Sequence, residues 1–114
     1  APAPLGSITD GAFLPEGTVW TNGAVWWDAA VANSAANALI IDLGDVISLA
    51  TLRLQGDDND DYLVDFRVGT SGAWSSLVTA PAVGGFGMRT RANIALGNVL
   101  ARQVRIRGAG GNQY

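Results

Sequence analysis

The sequence predicts an all-β protein, an antiparallel β-sandwich, and three observations carry that expectation. Short segments alternate apolar and polar residues with period two, clusters of turn-forming residues separate them, and a single stretch suits a helix. The clearest alternation has Tyr62, Val64, Phe66 and Val68 on one side of a strand and Leu63, Asp65 and Arg67 on the other. One face of that strand is apolar and the other mostly polar, the signature of a half-buried strand.

Three further strands follow from the same pattern. Leu52 and Leu54 alternate with Arg53 and Gln55, Met88 and Thr90 with Arg89 and Arg91, and Val104 and Ile106 with Arg105 and Arg107. Residues 39–43 add an apolar run. Punctuation falls at Gly44-Asp45, the acidic run 57–61, Ser71-Gly72, Pro81, Gly84-Gly85, Gly97-Asn98 and the glycines of 108–111. The helix-permissive stretch is 28–38, rich in Ala with Asp28 as its N-cap. Asn33, Ser34 and Asn37 interrupt it, so it is expected as a long loop with at most one helical turn. No internal repeat is visible, which disfavours a solenoid or a propeller.

The 114 residues make one domain, 8–114, preceded by an N-terminal arm, 1–7. Hydrophobic residues at 48% against 15% charged describe a globular chain with a real core. The uncharged stretch 29–41 is broken by polar residues and is shorter than the roughly 20 apolar residues of a membrane span, so none is expected. Ala1-Pro2-Ala3-Pro4 has neither the charged nor the apolar part of a signal peptide and reads as the stub left after one is removed.

Composition also narrows the chemistry. Seven Arg, no Lys and ten acidic residues give a net charge of -3, without the broad basic surface that a nucleic-acid backbone requires. With no His, Lys or Cys there is no Ser-His-Asp triad, Schiff base, thiolate or imidazole metal site. Glu16 is the sole Glu, and the nine Asp sit mostly in turn-like contexts, so the chain is expected to bind or assemble and not to catalyse.

From Asp10 to Tyr114 the order of features resembles the discoidin-like (F5/8 type C) branch of the galactose-binding superfamily, in its bacterial exported form. Asp10-Gly11 followed by Gly17-Thr18-Val19-Trp20 is similar to that family's opening. Residues 38–44, 52–56 and 60–66 resemble its strand, strand, acidic turn and strand. Residues 85–91 and 101–107 resemble its late strands, where arginines alternate with core residues. The resemblance implies an eight-stranded jelly-roll sandwich with ligand loops at one end, and a secreted, extracellular setting. In the family, a segment like Gly110-Gly111-Asn112-Gln113-Tyr114 runs on into a final strand with a calcium-binding Glu, whereas this sequence stops at Tyr114. The final strand is therefore expected to be missing from this chain or provided by another molecule, and an open edge is a template for pairing.

The resemblance makes Asp10 and Thr18 ligands of a structural Ca²⁺, with Glu16 a neighbouring candidate that the family pattern does not specify. An Asp-Gly turn followed by a strand start is the competing reading. In the acidic run, Asp60 and Asp61 beside Tyr62 are the candidates for holding sugar hydroxyls, against a solvated acidic turn. Trp26 and Trp27 are adjacent, so an extended chain sends them to opposite sides and leaves one free to stack on a sugar ring. Closing the sandwich end from both sides is the alternative. Trp20 and Trp74 are assigned to the core. Arg89, Arg91, Arg105 and Arg107 fall on outward positions, as a basic stripe for an acidic glycan or a neighbour's acidic loop, or as an ordinary solvated face. Two functions follow: a secreted carbohydrate-binding, lectin-like module of a cell surface or matrix, or a structural subunit of an extracellular assembly that exchanges strands between copies.

Overall fold

The computed structural model describes residues 3–25 and 38–110. A 3-10 helix, Leu5–Thr9, precedes four strands: β1 (Leu39–Asp57), β2 (Asp60–Arg67), β3 (Ser75–Ala80) and β4 (Met88–Gly110). They form one open antiparallel sheet in the order β1-β4-β2-β3. The protein is thus mainly β, as the alternation implies. Trp26, Trp27, nearly all of 28–38 and the terminal 111–114 lie outside the described residues.

Among the described residues, fewer and longer strands occur than the punctuation suggests. The segments 39–43 and 52–55 are both parts of β1, and the arginine-bearing segments 88–91 and 104–107 are both parts of β4. Gly44-Asp45 and Gly97-Asn98 do not end strands; they sit in bulges. The β1–β4 register slips between Asp42 and Ile47, between Leu49 and Thr51, and between Leu52 and Leu54. Gly44, Gly97, Asn98 and Asn93 take positive φ at these slips, the left-handed backbone that a bulge demands.

The bulges bend the ribbon. A straight strand of β4's length would span about 75 Å, yet the molecule's longest dimension is 34 Å. Asp57 pairs with Met88 and Asp60 with Gly110, while Asp58 and Asn59 alone separate the first of each pair. The two ends of β4 are therefore brought close together. Val64, Val104 and Ile106 form the buried cluster, and Leu49, Leu52 and Leu54 from the other limb of β1 pack against it. The sheet curls over its own apolar face. Fully burying a side chain such as Val64 contributes roughly 1.5–3 kcal/mol, which rewards the curl.

The N-terminal segment lies along β1. Leu14 N–H donates to Gln55 Oε1 at 3.0 Å, Gln55 Nε2 donates to Leu14 O at 2.8 Å, and the Arg53 guanidinium lies 4.8 Å from the Phe13 ring centre. Ala3 N–H donates to Ala24 O, tying back the start of the arm. Trp20 is half-buried against the apolar side. The expectation that Trp74 belongs to the core is corrected. It stands with the polar side of the sheet, 4.2 Å from the Arg67 guanidinium and 4.8 Å from that of Arg105. Residues 71–74 precede β3, so strand alternation never governed its direction.

Candidate functional site

Three loops meet at one end of the sheet: residues 15–18, the β1–β2 turn at 57–61, and the β3–β4 connection at 81–87. Asp58 joins the second and third, because its carbonyl accepts from Val83 N–H at 2.9 Å and its Oδ1 accepts from Gly87 N–H at 3.1 Å. Asp61 adds a bond from Ala82 N–H to its Oδ1 at 2.7 Å. The first loop is stitched on by Gly17 N–H to Met88 O and Met88 N–H to Thr18 O. Gly87, at φ 69°, allows this approach, since a Cβ there would lie 2.5 Å from Thr18 O.

Arg91 ties the cluster together from inside. Its Nε donates to Pro81 O, its Nη1 to Gly56 O and Arg89 O, and its Nη2 to Asp57 O and Asp60 O, at 2.7 to 3.1 Å. A guanidinium has five N–H donors, so all are occupied by main-chain carbonyls. Tyr62 completes the arrangement, accepting Asp57 N–H at 2.9 Å on its hydroxyl while its ring lies 5.3 Å from the guanidinium and against Gly56, where a Cβ would clash with it. Burial pushes the Tyr62 hydroxyl up to about 12.

Several candidates named from sequence are thus neighbours: Glu16, Thr18, Asp60, Asp61, Tyr62, Arg89 and Arg91. Their roles differ from those expected. Arg91 does not face outward; it is 5% exposed and stands opposite Leu54, because the bulge at Asn93 resets the alternation within β4. Asp60 is also turned inward, on the same side of β2 as Tyr62 and Val64, and is 6% exposed. Asp61 and Arg89 remain at the loop surface, and Arg89 lies across Gly85. Trp26 and Trp27 are outside the described residues.

The proposed calcium ligands act separately in this structure. Asp10 Oδ1 accepts from Ala12 N–H, Thr18 Oγ1 donates to Pro15 O, and both Glu16 oxygens accept from Thr90 N–H at 3.1 Å. The Thr90 hydrogen bond holds the Glu16 carboxyl below the usual range. Among the described residues no group of three or more His, Cys, Asp or Glu is gathered to hold a metal ion.

Sequence reasoning missed Phe86, which projects from the third loop with 66% of its surface exposed. The signal was present in Gly84-Gly85-Phe86-Gly87, an aromatic flanked by glycines too small to cover it.

Arg105 and Arg107 lie elsewhere, on the polar side of the sheet. Arg105 Nε and Nη2 donate to Asp65 Oδ2 at 3.0 and 2.8 Å, and Arg107 Nε approaches the same oxygen at 3.4 Å. Gln103 links Arg67 to Asp42, whose carboxyl that bond holds below its usual range. The expected single stripe is therefore split between two regions, since Arg89 and Arg91 belong to the same strand as Arg105 and Arg107 and do not pair with them. No helix of the described residues is long and apolar enough to cross a membrane. No family model, curated protein or solved structure matches this chain.

Proposed function

We propose that the protein is a secreted, non-catalytic carbohydrate-binding module of discoidin-like sandwich type, and that it holds glycan at the three-loop end. The observation that carries this reading is Phe86, an exposed aromatic on the 81–87 connection, the loop that Asp61 holds at Ala82, that Arg89 covers at Gly85 and that meets the Glu16 loop at Gly17. A sugar ring offers an apolar face for the phenyl ring and hydroxyls for the carboxylates and guanidinium. Because the loops are fixed by main-chain bonds to Asp58, Asp61 and Thr18, the platform is preorganised and little ordering entropy opposes binding.

A glycan array probed with the purified protein in calcium, and again with chelator, tests both ligand class and metal dependence. Phe86→Ala is expected to abolish the array signal while leaving the unfolding midpoint unchanged, because the ring covers little of the core. Signal that survives in the variant, or a blank array from folded wild type, sinks this reading.

The second reading, an assembly subunit that exchanges strands, is favoured by the sheet's edges. Among the described residues β1 and β3 are outer strands, and β1 carries Ile40, Val46 and Ile47 at 54%, 41% and 43% exposure. A long apolar edge is a pairing template.

A further inference from the structure

Beneath the hairpin end, between the curled sheet and the N-terminal segment, lies a cavity of 590 Å³. Its walls are apolar: Ile8, Trp20, Leu54, Val64, Leu77 and Met88 line it. That volume is within the range of small-molecule sites, which combine apolar walls with a few placed polar groups. Its polar lining includes Asp10, Arg53, Gln55, Asp57, Asp60 and Tyr62, and those furthest from solvent beside the apolar wall of β2 are a carboxylate pair, Asp57 and Asp60. Asp60 lines the cavity, is 6% exposed, and shares the inward side of β2 with Tyr62 and Val64.

The Asp60 carboxylate accepts no hydrogen bond from the described residues. Arg91 is the nearby cation, but its donors go to five carbonyls, one of them the main-chain oxygen of Asp60 itself. Asp57, 5% exposed, lines the same end and adds a second negative charge. A carboxylate largely withdrawn from bulk water is costly to keep charged, and a cation with N–H groups relieves that cost.

We propose that this cavity is a binding site for an amphiphile with a protonated amine head and an apolar body, the ammonium on Asp60 and the body against Leu54, Val64 and Met88. The site is separate from the Phe86 platform, on the inner side of the hairpin. The charged and titratable groups that act on Asp60 are Asp57, Asp58, Asp61, Arg91 and Tyr62, and Asp10 and Arg53 line the same cavity. Burial, then the Asp57 charge, pushes Asp60 up to about 6, so acid neutralises the site.

Calorimetric titration of the full chain with octylamine, octanol and octanoate tests the assignment. Octylamine is expected to bind about tenfold or more tightly than either of the others, the ratio of a charge-assisted hydrogen bond over none. In Asp60→Asn, whose fold is checked by circular dichroism, octylamine is expected to fall to the level of octanol while octanol is unchanged. Lowering the pH from 7.5 to 5 is expected to weaken octylamine alone. Octanol or octanoate binding as tightly as octylamine, a preference for amine that survives in Asp60→Asn, or no binding of any of the three overturns the proposal.

Discussion

At the hairpin end Arg91 turns every N–H toward a main-chain carbonyl, whereas on the polar side of the sheet Arg105 and Arg107 turn theirs toward the Asp65 carboxylate. The residue types in the two regions are the same, and their surroundings decide the difference. Arg91 is 5% exposed, and a guanidinium so far from water needs every proton paired. Arg105 and Arg107 keep 14% and 24% of their side-chain surface, and the Arg107 Nε, buried, is left with only the 3.4 Å approach to Asp65 in place of a hydrogen bond. Consequently the hairpin's Asp58 and Asp61 hold loop amides and Asp60 faces the cavity, while the sheet's carboxylates neutralise arginines. One region is fixed by its arginine, and the other is a network that tolerates loss.

The largest effect is expected from breaking the fixed region. Arg91→Met removes the donors from five buried or half-buried carbonyls and the counter-charge from Asp57 and Asp60. It should cost about 3–5 kcal/mol of stability in urea unfolding, the usual penalty for stripping one partner from a buried charge. Arg91→Lys keeps the charge but offers three donors in place of five, and should recover less than half of that loss. A cost below about 1 kcal/mol for Arg91→Met would mean that the carbonyls find water and that the hairpin is not fixed from inside.

On the polar side, Asp65→Asn should cost less, about 2 kcal/mol, because Arg105 and Arg107 lose their charged acceptor but keep 14% and 24% of their side-chain surface, more than Arg91 does, and the amide oxygen still accepts. Its cost should shrink further in high salt, which screens the repulsion left among Arg67, Arg105 and Arg107. A loss equal to that of Arg91→Met would erase the distinction between the regions.

The sequence made one of these regions legible and half-hid the other. Period-two alternation located the β2 core side through Tyr62 and Val64, and it assigned Asp65 to the opposite side correctly. It failed in β4, because parity holds only while pairing is regular; the slip at Gly97-Asn98 inserts two residues and the one at Asn93 a single residue, and that odd insertion brings Arg91 to the inner side. Glycines at 44 and 97 were read as strand ends for a related reason, since the residue that terminates a strand also supplies a bulge. Asp60 gave no local sign of burial, as an acidic run looks solvated until β4 folds back and Arg91 arrives from 31 residues away. Phe86 was legible in principle, from its glycine neighbours, but alternation gives an isolated loop aromatic no weight.

The smallest effect in this series is one of opposite sign. Asp60 titrates near 6 in the folded protein against an ordinary 3.8, so the folded state holds this proton more tightly than the unfolded chain. Stability from this group is fully present below about pH 4 and is lost as pH rises through about 6. Glu16 and Asp42, lowered by their hydrogen bonds, act the other way, and their contribution disappears only below their ordinary values of 4.5 and 3.8. Between pH 4 and 7 the slope therefore belongs mainly to Asp60. Asp60→Asn should raise stability at pH 7.5 by on the order of 1 kcal/mol and flatten the melting temperature across that window. The amide leaves Arg91 and its carbonyls untouched, so the gain isolates the cost of the carboxylate charge. If the variant were less stable than wild type at pH 7.5, the Asp60 charge would be compensating Arg91 directly, and the hairpin end would then resemble the polar side after all.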